Sequence, residues 1–130
     1  MAKTLLYIDD NQIDIAIIKG MQDKYLAFDS VTYSTDAEYS IRYIREHLQN
    51  EDELPDVIFL DIYMNPFSGW EFLDEFTKLH HLIGKTIDIY IVTFSILPKD
   101  LIRSKQYQHV KSYYTKPVTR ETFTSFRAIN

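Results

Sequence analysis

The sequence has no cysteine among its 130 residues, and it contains only three glycines and four prolines. Without cysteine, disulfides, thiolate chemistry and cysteine-based zinc sites are excluded. No apolar run approaches the roughly 20 residues that a membrane-spanning helix needs. The short apolar run after Lys3 meets Asp9 at once, so it is too short for the core of a signal peptide. These absences predict a cytoplasmic protein that does not contact a membrane.

Positive charge is also scarce, because 14 Lys and Arg residues stand against 19 Asp and Glu residues and give a formal net charge of −5. No basic stripe is available to neutralise phosphates, so the sequence predicts no nucleic-acid partner. The length and the 45% hydrophobic content are those of one ordinary globular domain. We predict a single domain over residues 1–130, with no room for an output domain.

Short apolar runs alternate with segments of helical periodicity along the whole chain. The runs predict strands over residues 4–8, 30–33, 57–60, 87–92 and 110–114. Helices are predicted over residues 13–25, 37–48, 69–79 and 98–105, with a last one after Thr119. Alternation of this kind is typical of an α/β protein in which helices cover both faces of a parallel sheet. The predicted architecture is a doubly wound (βα)₅ domain with a five-stranded parallel sheet.

Helix starts are marked by polar residues just after the predicted strands. Asn11 or Asp10 can cap the first helix, and Thr119 can cap the last. Two segments have the form of a capping box, in which a hydroxyl and a Glu three residues later reach each other's backbone N–H groups. These boxes are predicted at residues 35–38 and 68–71.

Polar side chains end four of the predicted strands. Asp9 and Asp10 follow the first strand, Asp61 follows the third, Thr93 the fourth and Lys116 the fifth. In open parallel sheets these ends converge, so we expect one pocket. Three carboxylates repel one another unless a cation lies between them. Oxygen ligands suit Mg²⁺, with Mn²⁺ possible. Such a pocket can hold a phosphoryl group on a carboxylate, with the metal and a lysine neutralising its oxygens.

The set formed by Asp9-Asp10, Asp61, Thr93 and Lys116-Pro117 resembles the response-regulator receiver domains of two-component signalling, of the chemotaxis-regulator-like single-domain type. The segment over residues 61–71 resembles the phosphoacceptor strand and loop of that family. The resemblance covers essentially the whole chain. It implies a flavodoxin-like strand order, 2-1-3-4-5.

The resemblance also implies a metal site and a phosphoacceptor. Asp61 is implied to accept the phosphoryl group. Asp10, Asp61 and the backbone carbonyl of Tyr63 are implied to bind the metal directly, with Asp9 acting through water or by orientation.

Switch residues are implied by the same resemblance. Thr93 bonds the phosphoryl group and moves on phosphorylation, and Tyr113 occupies the aromatic switch position. Lys116 pairs with a phosphoryl oxygen, and its peptide bond to Pro117 is implied to be cis. A half-buried structural role for Tyr113 is an open alternative.

The implied partners are a histidine kinase or phosphotransfer protein, whose phosphohistidine is the donor, and a downstream protein. The downstream protein is implied to bind the face formed by the fourth helix, the fifth strand and the fifth helix. The domain is then a self-phosphorylating acceptor with weak autodephosphorylation, and not a turnover enzyme.

Two departures from the family pattern are visible. Phe94 stands where a small residue is usual, so its ring is expected to narrow the route to the site. Pro66 lies one position later than is commonest.

Two other function classes compete with the phosphoacceptor. Phe94 favours a receiver-like protein-interaction module that is never phosphorylated. An enzyme on a similar fold is disfavoured, because Asp9-Asp10-Asn11-Gln12 replaces the hydroxyl- and glycine-rich loop of a flavodoxin. An aspartate-based phosphohydrolase requires a second Asp at the position that Tyr63 occupies.

Overall fold

The computed structural model describes residues 3–127, and they form alternating strands and helices. The strands are β1 Thr4–Ile8, β2 Ser30–Ser34, β3 Val57–Leu60, β4 Asp88–Thr93 and β5 Val110–Thr115. The α-helices are α1 Gln12–Tyr25, α2 Ala37–Glu46, α3 Gly69–Leu79, α4 Pro98–Ser104 and α5 Arg120–Thr124. Short 3₁₀ turns lie at Glu51–Glu53 and His80–Leu82. The predicted (βα)₅ architecture is confirmed.

The five strands form one parallel sheet in the order β2-β1-β3-β4-β5, which confirms the strand order implied by the resemblance. The register aligns the carboxyl ends of the central strands, since Ile8 pairs with Leu60 and Leu60 pairs with Ile91. Thr93 pairs with Thr115 at the end of β4 and β5. The residues that follow these positions therefore lie along one edge of the sheet.

The sheet separates two apolar layers, because alternate side chains of a strand point to opposite faces. Ile8, Ile58 and Leu60 pack with α2 and α3 on one face. Tyr7 and Phe59 pack with α1 and α5 on the other face. β3 is buried along its whole length, as its uninterrupted apolar run predicted. Each fully buried Ile, Leu or Phe side chain contributes roughly 1.5–3 kcal/mol.

The helix caps agree with the sequence at three starts and differ at one. Asn11 caps α1, Thr119 caps α5, and the capping box between Ser68 and Glu71 is present at α3. The predicted box at residues 35–38 is wrong, because Asp36 caps α2 by accepting the N–H of Tyr39 at 3.0 Å. The hydroxyl of Ser34 bonds both the N–H and the carbonyl of Asp36, so the turn after β2 places that carboxylate at the helix start.

α2 ends earlier than predicted. It stops at Glu46, so Leu48 lies beyond the helix, although it still packs against the core. Within residues 3–127, no helix combines the length and the apolar character that crossing a membrane requires.

Candidate functional site

Asp61 directly follows β3 and is held by the start of α3. Its backbone N–H donates to the carbonyl of Ile8 at 3.0 Å, and the N–H of Gly69 donates to the carbonyl of Ile62 at 3.1 Å. A Cβ atom at position 69 would lie 2.3 Å from the Asp61 carbonyl oxygen. Real Cβ contacts are never this short, so the first turn of α3 can approach the end of β3 only with glycine there. This contact fixes where the Asp61 carboxylate emerges.

Three carboxylates converge at the sheet edge, as predicted. Asp9, Asp10 and Asp61 each offer an oxygen, and these oxygens all lie within 4.8 Å of one another. Asp9 and Asp61 are buried, while Asp10 is exposed to the cleft. Hard oxygen donors at this spacing fit a divalent cation such as Mg²⁺, which takes one or two carboxylates and keeps several waters.

Asp9 has little capacity left for direct metal ligation. Its Oδ2 accepts the Tyr7 hydroxyl at 2.9 Å and the Lys116 ammonium at 2.7 Å, and its Oδ1 accepts the backbone N–H of Asn11 at 3.0 Å. Asp61 is less engaged, because its Oδ1 accepts only the N–H of Tyr63 at 3.1 Å. Asp10 and Asp61 therefore have the free oxygen lone pairs, and Asp9 orients the groups around them.

Lys116 brings the one ammonium group of the site. Its Nζ lies 2.7 Å from Asp9, 2.8 Å from Asp14 and 3.1 Å from Asp61, and only 4% of its side chain is exposed. Burial alone would lower the pKa of Lys116, but the hydrogen bonds that its ammonium donates to Asp14 and Asp9 and the charge of Asp61 raise the pKa above its ordinary value. Lys116 is thus a fixed cation.

Two residues of this cluster were not predicted. Tyr7 lies two residues before Asp9 on β1, on the same face of the strand, and its hydroxyl donates to that carboxylate. Burial, followed by the charge and hydrogen bond of Asp9, raises the pKa of Tyr7 far above its ordinary value. Asp14 lies in the first turn of α1, and no local signal in the sequence distinguishes it from other acids at helix starts.

The charge of Asp61 is poorly stabilised by the protein alone. Burial raises its pKa above the ordinary value, although Lys116 and the N–H of Tyr63 oppose this, and the neighbouring Asp9 raises it further. A dication between the carboxylates would favour the ionised form. The electrostatics of the site therefore favour binding of a cation.

The loop after β4 covers one side of the cleft. Thr93 is buried, and its Oγ1 accepts the N–H of Ser95 at 3.2 Å. The backbone N–H of Lys116 donates to the Thr93 carbonyl at 2.8 Å, which fastens the end of β5 to this loop. Phe94 is 65% exposed, and its ring centroid lies 5.0 Å from the Lys116 Nζ. The bulky ring therefore does stand beside the site.

A hydroxyl network joins this loop to α4 and to the segment after Asp61. Asp100, buried in the first turn of α4, accepts hydrogen bonds from the hydroxyls of Tyr63 and Ser95. Burial would raise the pKa of Asp100, but these two hydroxyls and the charges of Lys99 and Arg103 together hold the pKa below its ordinary value. The hydroxyl of Tyr113 donates to the Ser95 carbonyl at 3.0 Å. Tyr113 is half-buried, and this bond fastens it to the loop that directly follows Thr93.

The peptide bond between Lys116 and Pro117 is cis, which is the isomer that the resemblance implies. The bond between Asn65 and Pro66 is also cis, and nothing in the sequence indicated it.

Solved structures of response regulators have this fold. A two-component response regulator from Cytophaga hutchinsonii gives a TM-score of 0.84 at 21% identity, over 97% of this chain and 95% of that chain. The receiver domain of an Arabidopsis thaliana histidine kinase, complexed with Mg²⁺ and BeF₃⁻, gives 0.80 at 20% identity, over 95% and 89%. The phosphorylated cyanobacterial phytochrome response regulator RcpA gives 0.76 at 25% identity, over 98% and 90%.

No family model and no curated protein matches the sequence. The structural likeness nevertheless extends over nearly the whole chain and over most of each neighbour. The strand order agrees with the one that the resemblance implied. The chain therefore has the fold of response-regulator receiver domains, as the resemblance of its strand-end residues predicted.

Proposed function

We propose that this chain is a response-regulator receiver domain that accepts a phosphoryl group on Asp61 in a Mg²⁺-dependent phosphorelay. One observation carries the proposal. The Lys116 ammonium lies 3.1 Å from Asp61 beside three carboxylates whose oxygens lie within 4.8 Å of one another. A fixed cation next to an acid cluster is the arrangement that phosphoryl transfer to a carboxylate requires.

The metal site of this proposal consists of the Asp10 and Asp61 carboxylates and the backbone carbonyl of Tyr63. Asp9 orients Lys116 and contacts the metal through water. Mg²⁺ is the proposed ion and Mn²⁺ can replace it, since neighbours of this fold include Mg²⁺- and Mn²⁺-bound forms. When bound, the dication supplies positive charge at the phosphoryl oxygens and at the carboxylates.

The proposed step begins with Asp61 as an anion, so no base has to remove a proton from it. One Asp61 oxygen forms a P–O bond while the P–N bond of the donor phosphohistidine breaks. The electron pair of that P–N bond stays on the imidazole nitrogen. The other ring nitrogen carries a proton, so the partner's histidine leaves as the neutral imidazole ring. Before transfer, the Lys116 ammonium donates a hydrogen bond to an Asp61 oxygen. After transfer, it donates to a phosphoryl oxygen instead.

The donor is a histidine kinase or phosphotransfer protein. The product is the phosphorylated domain itself, which acts as a signal, and no substrate is released. Thr93 and Tyr113 are the proposed switch residues, because the hydroxyl of Tyr113, on β5, donates to the carbonyl of Ser95, two residues after Thr93. Movement of the Thr93 hydroxyl toward the phosphoryl group would break its bond from the Ser95 N–H and so shift the Ser95 carbonyl that Tyr113 holds. The face formed by α4, β5 and α5 then changes, and a downstream protein reads it. Weak autodephosphorylation resets the domain.

A second candidate is a receiver-like interaction module that is never phosphorylated. The observation in its favour is Phe94, whose ring lies beside Lys116 and lines the same cleft as Asp61. The carboxylates gathered around Lys116 argue against this candidate, because a module that only binds a protein does not need a buried cluster of like charges.

Intact-mass analysis after incubation with acetyl phosphate, with and without Mg²⁺, separates the two candidates. The phosphoacceptor gains one phosphoryl group that depends on Mg²⁺ and is lost in Asp61→Asn. Asp23→Asn, which removes an exposed carboxylate at the far end of α1, is the matched control and should be labelled like the wild type. No mass gain in the wild type would favour the interaction module.

A further inference from the structure

Asp14 is a buried carboxylate that the proposed phosphoryl chemistry does not use. It lies in the first turn of α1, 8% exposed, and its Oδ2 is 2.8 Å from the Lys116 Nζ. Its backbone N–H donates to the Asn11 side chain at 3.1 Å, so the helix cap fixes its position. An acid in a first helical turn is ordinary, but a buried one bonded to Lys116 has a specific effect on that lysine.

The hydrogen bonds of Lys116 are fully used. An ammonium has three N–H donors, and its three carboxylate partners are Asp9 at 2.7 Å, Asp14 at 2.8 Å and Asp61 at 3.1 Å. A phosphoryl oxygen can accept a hydrogen bond from this ammonium only if it replaces one of the three carboxylates. If it replaces Asp61, it must compete with Asp9 and Asp14 for the position of Nζ. Asp9 and Asp14, the two shorter contacts, hold Nζ between the end of β1 and the start of α1.

The charge count points in the same direction. Asp9, Asp10, Asp14 and Asp61 carry four negative charges around one ammonium, so three are in excess. A bound dication would reduce the excess to one negative charge. Without Asp14, a site with the same dication would be neutral. The additional negative charge attracts a metal ion and repels an incoming phosphoryl group.

We infer that Asp14 is a positioning residue that holds the Lys116 ammonium away from the phosphoryl group, and so strengthens cation binding while restraining phosphorylation. This inference rests on the proposed function of Asp61. It assigns to α1 a role in setting the sensitivity of the site, separate from that of the metal ligands.

The test compares Asp14→Asn and Asp14→Ser, which remove the charge, with Asp14→Glu, which keeps it. Asp23→Asn removes a carboxylate from an exposed position on the same helix and controls for net charge. Mg²⁺ affinity is measured by the fluorescence of Trp70, the only tryptophan, which adjoins Gly69. Phosphorylation by acetyl phosphate is timed by intact mass at a Mg²⁺ concentration that saturates each variant.

Both neutral variants are expected to bind Mg²⁺ more weakly and yet to be phosphorylated faster, each by on the order of three- to tenfold. Asp14→Glu and the control Asp23→Asn should match the wild type in both measurements. A purely structural role would instead slow phosphorylation and lower thermal stability together. The opposite signs of the two effects therefore distinguish positioning from folding.

The inference is overturned if the neutral variants behave like Asp23→Asn, or if they lose cation affinity and phosphorylation rate in parallel. Two neutral substitutions are used so that a folding defect in one leaves the other to decide. If the wild type itself takes up no phosphoryl group, the proposed function fails and the inference fails with it. If the wild type is labelled and only the Asp14 comparison fails, the proposed function stands.

Discussion

At the scale of single residues, the site depends on positions where one atom decides the geometry. Gly69 is one of them, because the turn of α3 that it opens lies against the backbone that carries Asp61. Phe94 is another, because its ring stands beside the only ammonium of the acid cluster. Each position therefore permits a prediction from its immediate contacts.

Substitution of Gly69 by Ala should destabilise the protein. The added methyl group would lie 2.3 Å from the Asp61 carbonyl oxygen and 2.7 Å from the Ile62 Cα, both backbone atoms that cannot move independently. We expect the free energy of unfolding to fall by about 1–3 kcal/mol, the usual range for overpacking. Urea denaturation measures this directly.

Gly20→Ala is the matched control for that substitution. Gly20 lies within α1, and a methyl group added there would have no neighbouring atom within 4 Å, so alanine meets open space. Alanine is favoured over glycine inside a helix by about 0.8–1 kcal/mol, and this variant should be more stable than the wild type. Equal effects of the two substitutions would contradict the steric account of Gly69.

Phe94→Ala should accelerate labelling of Asp61 by acetyl phosphate. Removal of the ring opens the cleft beside Lys116 and exposes the ammonium to the donor. We expect a several-fold faster gain of mass, while Ile96→Ala, which trims an 83% exposed side chain in the same loop, should change little. If the two variants are labelled equally fast, Phe94 does not control access.

At the scale of elements, hydroxyl and imidazole contacts tie loops and strands together around the sheet. The Asp100 network joins α4 to the loop after β4. His109 directly precedes β5, at the end of that strand that lies away from the acid cluster. The centroid of its ring lies 4.0 Å from that of His80, the residue that directly follows α3. Two imidazoles this close repel when both are protonated, so this contact is sensitive to pH.

The stability of the fold should fall as pH decreases through the range where His109 titrates. Burial, then the charges of His80 and Lys111, lower the pKa of His109 below its ordinary value of 6.5. The unfolded chain then binds more protons than the folded one, so this contribution is complete above pH 6.5 and is lost as pH falls toward the lowered pKa.

Thermal unfolding between about pH 7 and 5 measures this loss. His109→Gln cannot titrate and should show a smaller drop over that range than the wild type does. His81→Gln, which removes an exposed histidine from the turn after α3, is the control. An identical pH profile in His109→Gln and the wild type would show that the His80–His109 contact contributes nothing.

The elements themselves could be predicted from the sequence because period and capping are local properties. β3 was recognised from its apolar run and α3 from the box between Ser68 and Glu71. The start of α2 could not be predicted in the same way, because Thr35 and Asp36 are both good caps. The hydroxyl bonds of Ser34, which depend on where β2 ends, decide between them.

The partners of Lys116 show what local patterns leave out. Asp61 and Asp9 could be named from their places at strand ends, because topology brings such positions together. Asp14 could not, because it is 102 residues from Lys116 and looks like any acid in a first helical turn. The orientation of α1 on the sheet, which burial of Ile15 and Ile18 determines, turns this carboxylate toward the cleft.

At the scale of the whole molecule, the acid cluster that the proposed function needs also lowers the stability of the folded protein. Asp9, Asp10 and Asp61 repel one another in the metal-free protein, and burial raises the pKa of Asp61 further. A cation that binds only the folded state adds stability in proportion to the logarithm of its concentration. If the proposed metal site forms, the same carboxylates destabilise the protein without metal and stabilise it with metal.

Asp10→Asn should reveal both effects in one experiment. Asp10 is exposed, and its amide analogue has nearly the same shape, so little packing is lost. Without Mg²⁺, relief of repulsion should raise the Tm by roughly 1–4 °C. With millimolar Mg²⁺ the wild type should gain stability while the variant gains little, so the two Tm values converge or reverse their order. Asp52→Asn, an exposed acid remote from the cluster, should shift neither value. A Tm increase with Mg²⁺ that is equal in Asp10→Asn and the wild type would remove Asp10 from the metal site.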